Sequence, residues 1–152
     1  MNVLESFSLK GKVALVTGGA GLYGRQIVEA LAEAGAETYI ASRNLESLQQ
    51  VAKEEVERGY NVTAMQLDLS QDESIDKLHS DIITKSGKCD ILINNAVSRE
   101  FGSAGWKNTL DDFDKSLRIN ASALFKITQM FAEDMKKNKS GSIINIGSMM
   151  GT

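Results

Sequence analysis

Five short apolar runs alternate with amphipathic stretches along the chain, and this alternation leaves few folds open. Lys12–Gly18 (KVALVTG) is almost continuously apolar, the pattern of a strand covered on both faces. Tyr23–Ala34 then places Ile27, Ala30, Leu31 and Ala34 on one helical face, and Gly35 supplies the stop. Glu37–Ser42 (ETYIAS) reads as a second strand, followed by Leu45, Leu48, Val51, Ala52 and Val56 at helical spacing up to Gly59. Asn61–Asp68 (NVTAMQLD) is a third strand. Ser70–Glu73 (SQDE) has capping-box spacing and opens a helix carrying Ile75, Leu78 and Ile82. Cys89–Ala96 is a fourth strand. A polar loop, Val97–Asn108, leads into a long helix, Thr109–Lys137, with Phe113, Leu117, Ala121, Leu124, Thr128, Phe131 and Met135 along one side. Ser142–Ser148 is the fifth strand. The expected fold is α/β: right-handed βαβ units in a doubly wound, Rossmann-like parallel sheet ordered 3-2-1-4-5.

The chain's 152 residues suit one core, and neither a linker nor a repeat divides them. There is no proline, so turns fall to Gly, Asn, Asp and Ser. A net charge of −3, with only Lys136–Lys139 (KKNK) as a basic run, argues against a nucleic-acid partner. A single cysteine, Cys89, excludes an internal disulfide and a cysteine-built zinc site; beside Ile91–Ile93 it is expected to be a buried structural thiol. His79 is the only histidine and no HExxH occurs, so no metal is expected. The N-terminus lacks an apolar h-region, and no apolar run approaches the ~20 residues that span a bilayer. The expectation is a cytoplasmic protein with no membrane partner.

The strongest local signal is Thr17–Gly24 (TGGAGLYG), which closes the first strand and opens the first helix. Within it, Gly19-Ala20-Gly21-Leu22-Tyr23-Gly24 fits G-x-G-x-x-G. A backbone that must turn tightly and approach a pyrophosphate has no room for Cβ atoms, and the helix N-terminus then presents free N–H groups to the anion. The chain is therefore expected to bind a dinucleotide. An acid near the end of the second strand would hold the ribose 2′-OH of NAD. Ser42-Arg43-Asn44 stands there instead. Arg43 can pair with a 2′-phosphate and Ser42 can hydrogen-bond it, which points to NADP, with NAD as the alternative.

Taken in order, these motifs resemble the short-chain dehydrogenase/reductase family. Thr17–Gly24 is similar to its cofactor-binding turn, and Asp68 in QLDLS to the acid that faces the adenine. Asn94–Val97 (NNAV) resembles its Asn-Asn-Ala-Gly, Asn120 in RINAS its helix asparagine, and Ile144–Ser148 (INIGS) the strand whose final serine is catalytic. The resemblance implies a cofactor site of Gly18, Gly19, Ala20, Gly21, Leu22, Gly24, Ser42, Arg43, Asp68, Leu69, Asn95 and Ala96, with Ser148 and Asn120 as catalytic residues. Ser148 would hydrogen-bond a carbonyl oxygen, and Asn120 would hold a relay water. The implied reaction is hydride transfer between nicotinamide and a small-molecule carbonyl or secondary alcohol. Leu22, Val97 and Gly147 depart from the family's usual Gly, Gly and Ser.

The family's Tyr-xxx-Lys is expected beyond Ser148. Tyr23, Tyr39 and Tyr60 do not replace it, since none has lysine at the fourth following position. Residues 1–152 are accordingly expected to be a single dinucleotide-binding domain, the N-terminal part of a longer fold, without turnover by itself. A sixth strand would lie beside Ser142–Ser148 and cover Ile143, Ile144 and Ile146, an edge otherwise prone to recruit other chains. The family also implies a homodimer or homotetramer through helix Thr109–Lys137. A second reading stays open, that of a non-catalytic nucleotide-binding or assembly module. In loop Ser98–Asn108, Arg99, Glu100, Phe101 and Trp106 suit either a polar, sugar-like substrate or packing on the sheet edge.

Overall fold

The structure, a computed structural model, describes residues 2–99 and 105–148. Five parallel strands, β1 (Val13–Thr17), β2 (Glu37–Ser42), β3 (Val62–Gln66), β4 (Ile91–Asn94) and β5 (Ser142–Asn145), form one sheet in the order β3-β2-β1-β4-β5. The helices are α1 (Val3–Ser6), α2 (Leu22–Glu33), α3 (Leu45–Glu57), α4 (Asp72–Ser86), α5 (Leu110–Leu117) and α6 (Leu124–Lys137). The doubly wound sheet expected from the alternation is therefore present. Successive side chains of a strand point to opposite faces, so a strand apolar throughout feeds two cores. In β1, Leu15 joins Leu78, Ile82, Leu92 and Phe131 beneath α4 and α6, whereas Val16 joins Val28, Ile40 and Leu48 beneath α2 and α3.

Several local expectations change. On α2 the buried residues are Gly24, Val28 and Ala32, with Ile27 and Leu31 flanking and Ala30 exposed. The need to seat Gly24 against the β1 turn rotates the face. On α3, Glu55 is buried and Val56 is 54% exposed. Arg58 explains the inversion, since it pairs with Glu55 and also with Glu29 and Glu33 of α2, tying the two helices together. Ser70 does not cap α4. Gln71 holds the N-cap position without a side-chain bond, and Ser70 instead donates its N–H and hydroxyl to Asp68.

The long helix is interrupted. Thr109 and Asp112 form a capping box at the start of α5, and a π turn, Arg118–Ala123, separates α5 from α6. One extra residue per turn rotates everything beyond it. Ala123, Ile127, Phe131 and Met135 are buried, while Phe113 and Leu117 are 41% and 46% exposed and Ala121 faces solvent. Phe113 and Leu117 therefore do not share a face with Phe131, contrary to the single stripe read from the sequence.

Strand β5 pairs with β4 alone among the described residues. Ile143 packs inward against the core, and Ile144 and Ile146 are 47% and 45% exposed. Cys89 is 1% exposed, and burial pushes its thiol up to about 12. Thiol reagents react with the thiolate. Cys89 is thus expected to resist Ellman's reagent at pH 8 in the folded protein and to react fully in guanidinium chloride. Rapid labelling without denaturant would contradict this placement.

Candidate active site

Parallel strands share one carboxyl edge, and a crevice opens there wherever successive connections leave on opposite faces. In this chain that point lies between β1 and β4. The turn after β1 begins at Gly18, with φ of 71°, in the left-handed region that glycine adopts readily. Gly24 is the tightest position. A Cβ there would lie 2.1 Å from the Gly18 carbonyl oxygen, so α2 can approach β1 this closely only with glycine. Leu22, by contrast, directs its side chain outward and is 84% exposed, which accommodates the departure at that position.

Thr17 joins this turn to the segment after β4. Its buried hydroxyl oxygen accepts the N–H groups of Asn95 (3.1 Å) and Ala96 (3.0 Å) and donates to the Ile93 carbonyl (3.4 Å). Asn95 returns the contact, its Nδ2 donating to the carbonyls of Thr17 and Gly18 at 3.1 and 3.2 Å. Next along the edge, Asn94 is 4% exposed and donates to Thr128 Oγ1 on α6 and to Asn145 Oδ1 on β5.

A cleft of about 270 Å³ extends from this junction and is lined by Gly18, Ser42, Arg43, Asp68, Leu69 and Ile119, among others. Asp68 is held ionised. The Ser70 hydroxyl and amide, bonded to its Oδ1 at 2.7 and 2.9 Å, keep its carboxyl below the usual range, and the Arg43 charge adds to the effect. The sequence reading placed Ser42, Arg43, Asp68, Leu69 and Ala96 in one site, and the fold brings all five to this cleft. A second cleft, about 520 Å³, runs along Ala20, Gly21, Leu22, Asn95 and Ala96 towards Arg99.

Asn120 lies in the π turn, and its side chain is fully engaged. Oδ1 accepts the Ser98 N–H at 2.8 Å, while Nδ2 donates to the Ser98 carbonyl at 2.9 Å and to Ser116 Oγ at 3.1 Å. Ser148 follows β5 on the same carboxyl edge and is exposed. Glu100 and Phe101 lie outside the described residues. Trp106 belongs to a 3₁₀ turn, Gly105–Lys107, and projects into solvent rather than onto the sheet edge.

These features fit a dinucleotide. Gly21 offers no side-chain cap to α2, so the first-turn N–H groups are left for an anion, and glycine at position 24 lets the helix end sit this close to the turn. Among the described residues, no group of three or more His, Cys, Asp or Glu could hold a metal ion, and no helix is long and apolar enough to cross a membrane. The sequence reading assigned no role to Thr17, Asn94 or Ile119. Thr17 and Asn94 belong to the quoted motifs, but only the folded pairing of β1, β4 and β5 reveals what their side chains bond.

The family pattern described as short chain dehydrogenase matches residues 12–152. The chain is 30% identical over 145 residues to the 7α-hydroxysteroid dehydrogenase of Escherichia coli, a match covering 95% of this chain and 56% of that enzyme. A metagenomic short-chain oxidoreductase solved in complex with NADP superposes with a TM-score of 0.88 at 32% identity, over 95% of this chain and 65% of that one. A 7α-hydroxysteroid dehydrogenase complexed with NADH and 7-oxo glycochenodeoxycholic acid superposes with a TM-score of 0.88 at 30% identity, over 98% and 58% of the two chains. The chain thus spans little more than half the length of the curated relatives it matches.

If the Thr17 hydroxyl holds the crevice as described, Thr17→Val leaves two partly buried amides without their acceptor. The expected loss is about 1–3 kcal/mol in urea denaturation, with Thr17→Ser recovering most of it. Equal stability of Thr17→Val and the parent would remove Thr17 from this role.

Proposed function

The chain belongs to the short-chain dehydrogenase family, and from that membership we propose that residues 1–152 form the dinucleotide-binding domain of an NADP(H)-dependent oxidoreductase. The observation that carries this reading is the glycine cradle opening onto a cleft where Arg43 and Asp68 meet. Gly18–Gly24 and the first turn of α2 would hold the pyrophosphate. Asp68 and Leu69 would face the adenine, and Asn95 and Ala96 would border the path towards the nicotinamide. Arg43, with Ser42, would hold a 2′-phosphate. In relatives one solved structure holds NADP and another NADH, so the preference for NADP rests on Arg43 and on the lack of an acid at position 42.

The cofactor would supply hydride exchange with a carbonyl or secondary alcohol. Ser148 would donate a hydrogen bond to the substrate oxygen as negative charge develops there. Asn120 would act through its main-chain carbonyl on a relay water, because its side chain is committed to Ser98 and Ser116. The protein would act in the cytoplasm on a small molecule.

Arg43→Ala removes a charge-assisted contact of roughly 1.5–3 kcal/mol. It should therefore weaken NADPH about tenfold or more while leaving NADH nearly unchanged, read by nicotinamide fluorescence titration. Equal affinity of the parent for the two cofactors would refute the assignment.

The exposed Leu110, Phe113 and Leu117 on α5 form an apolar face that suits a second subunit. We expect a homodimer or homotetramer by light scattering, shifted towards monomer in Phe113→Glu/Leu117→Glu. A parent that is monomeric at all concentrations tested would rule this out.

A further inference from the structure

Two segments from different parts of the chain line the cleft of about 270 Å³: Ala96, Val97 and Ser98 after β4, and Ile119 in the π turn. They are joined by the side chain of Asn120, the neighbour of Ile119. Its Oδ1 accepts the Ser98 N–H at 2.8 Å, and its Nδ2 donates to the Ser98 carbonyl at 2.9 Å. The carboxamide is thus a latch between the two segments, and the width of the cleft depends on how it is held.

Two bonds to one residue still let the carboxamide rock about that contact. The third bond comes from its own helix, where Nδ2 donates its other hydrogen to Ser116 Oγ at 3.1 Å. A helical side chain leans back over the preceding turn, so a residue four positions earlier is the one placed to meet it. Ser116 belongs to α5, is half-buried and lines neither cleft, so its effect on a ligand passes through Asn120. The helix does not call for a hydroxyl there. Serine is a poorer helix former than alanine, and α5 is already capped by Thr109 and Asp112. Without this acceptor a partly buried amide hydrogen loses its partner. The carboxamide then turns towards water and loosens its hold on Ser98.

We propose that Ser116 is a positioning residue for the dinucleotide. By holding the Asn120 carboxamide against Ser98 it sets how closely the segment after β4 approaches Ile119, and hence the affinity of the cleft for the adenosine half of the cofactor. The proposal rests on the dinucleotide reading for the occupant of the cleft. It concerns affinity and is separate from any part that Asn120 takes in a proton relay.

The test measures binding of NADPH and of adenosine 2′,5′-bisphosphate, together with hydrogen exchange of the Ser98 amide by NMR. Ser116→Ala keeps the helix, alanine being the stronger helix former. It should speed exchange at Ser98 and weaken both nucleotides about three- to tenfold, the worth of one hydrogen bond. Ser116→Thr, which retains the hydroxyl, should restore exchange and affinity. Thr109→Ala serves as the control: it removes the cap of α5 and lowers stability without touching Asn120, and should leave both affinities unchanged. Parental affinities in Ser116→Ala, a failure of Ser116→Thr to restore them, or an equal loss in Thr109→Ala overturns the proposal. The last of these would mean a general loosening of α5. A parent that binds neither nucleotide sinks the dinucleotide reading instead. The Ser98 exchange rate then decides the latch by itself, and unchanged exchange in Ser116→Ala overturns it.

Discussion

A single hydroxyl, that of Thr17, holds together the place on which the rest of the site depends. The sheet grows outward from β1 in both directions, so the connections after β1 and β4 leave on opposite faces and the crevice between them is a consequence of topology. Topology alone would leave the backbone amides of Asn95 and Ala96 without partners at the bottom of that crevice. Burying an unbonded amide is costly, and Thr17 satisfies both at once. The reciprocal bonds from Asn95 to the Thr17 and Gly18 carbonyls then fix the start of the glycine turn. The depth of the crevice follows from Gly24, whose missing Cβ lets α2 settle against the Gly18 carbonyl.

Around this junction the clamps are neutral amides. Asn94 ties β4 to β5 and α6, Asn95 ties β4 to β1, and Asn120 ties the π turn to Ser98. An amide donates and accepts through one short side chain, so it can bridge two backbone segments without bringing in charge. A carboxylate in these positions would repel an anionic ligand, and a lysine would compete with it. The charged groups stand instead at the rim, where Arg43 and Asp68 lie together in one cleft and Arg99 stands in the other. Polarity is thus divided between uncharged side chains that build the crevice and charged ones that can choose what enters it.

The parts of this arrangement legible in the sequence are those enforced by single residues. Glycines at 18 and 24 announce a backbone approach, and five apolar runs between amphipathic stretches announce the sheet and its order. Asp68 and Arg43 are legible because each stands at the carboxyl end of a recognisable strand, Arg43 just after the second and Asp68 at the close of the third. The face of the long helix was not legible, because a stripe at helical spacing assumes a constant period and the π turn breaks it between Leu117 and Leu124. Ser70 was read as a cap since its spacing to Glu73 is right, but the Asp68 carboxylate lies closer and takes both its donors. Ile119 lines the cleft only because the π turn presents it there, and no local pattern marks it.

The π turn also shows how an unfavourable local geometry is kept in place. A wide turn gives up the regular helical bonding pattern, so it persists only where its surroundings determine it. On the inner side, Asn120 is bound to Ser98 and Ser116. On the outer side, Arg118, its first residue, reaches Asp72 at 2.6 Å, and Lys126, just beyond it, reaches Asp72 and Asp76. Asp72 opens α4, where a negative charge also favours the helix N-terminus. Exposed ion pairs contribute little individually and weaken with salt, so they cannot by themselves hold the turn open. The partly buried amide bonds of Asn120 are shielded from that screening and fix its direction, while the outer pairs set the register of α5–α6 against α4. The turn that carries Asn120 is therefore braced most firmly on the side that faces the crevice.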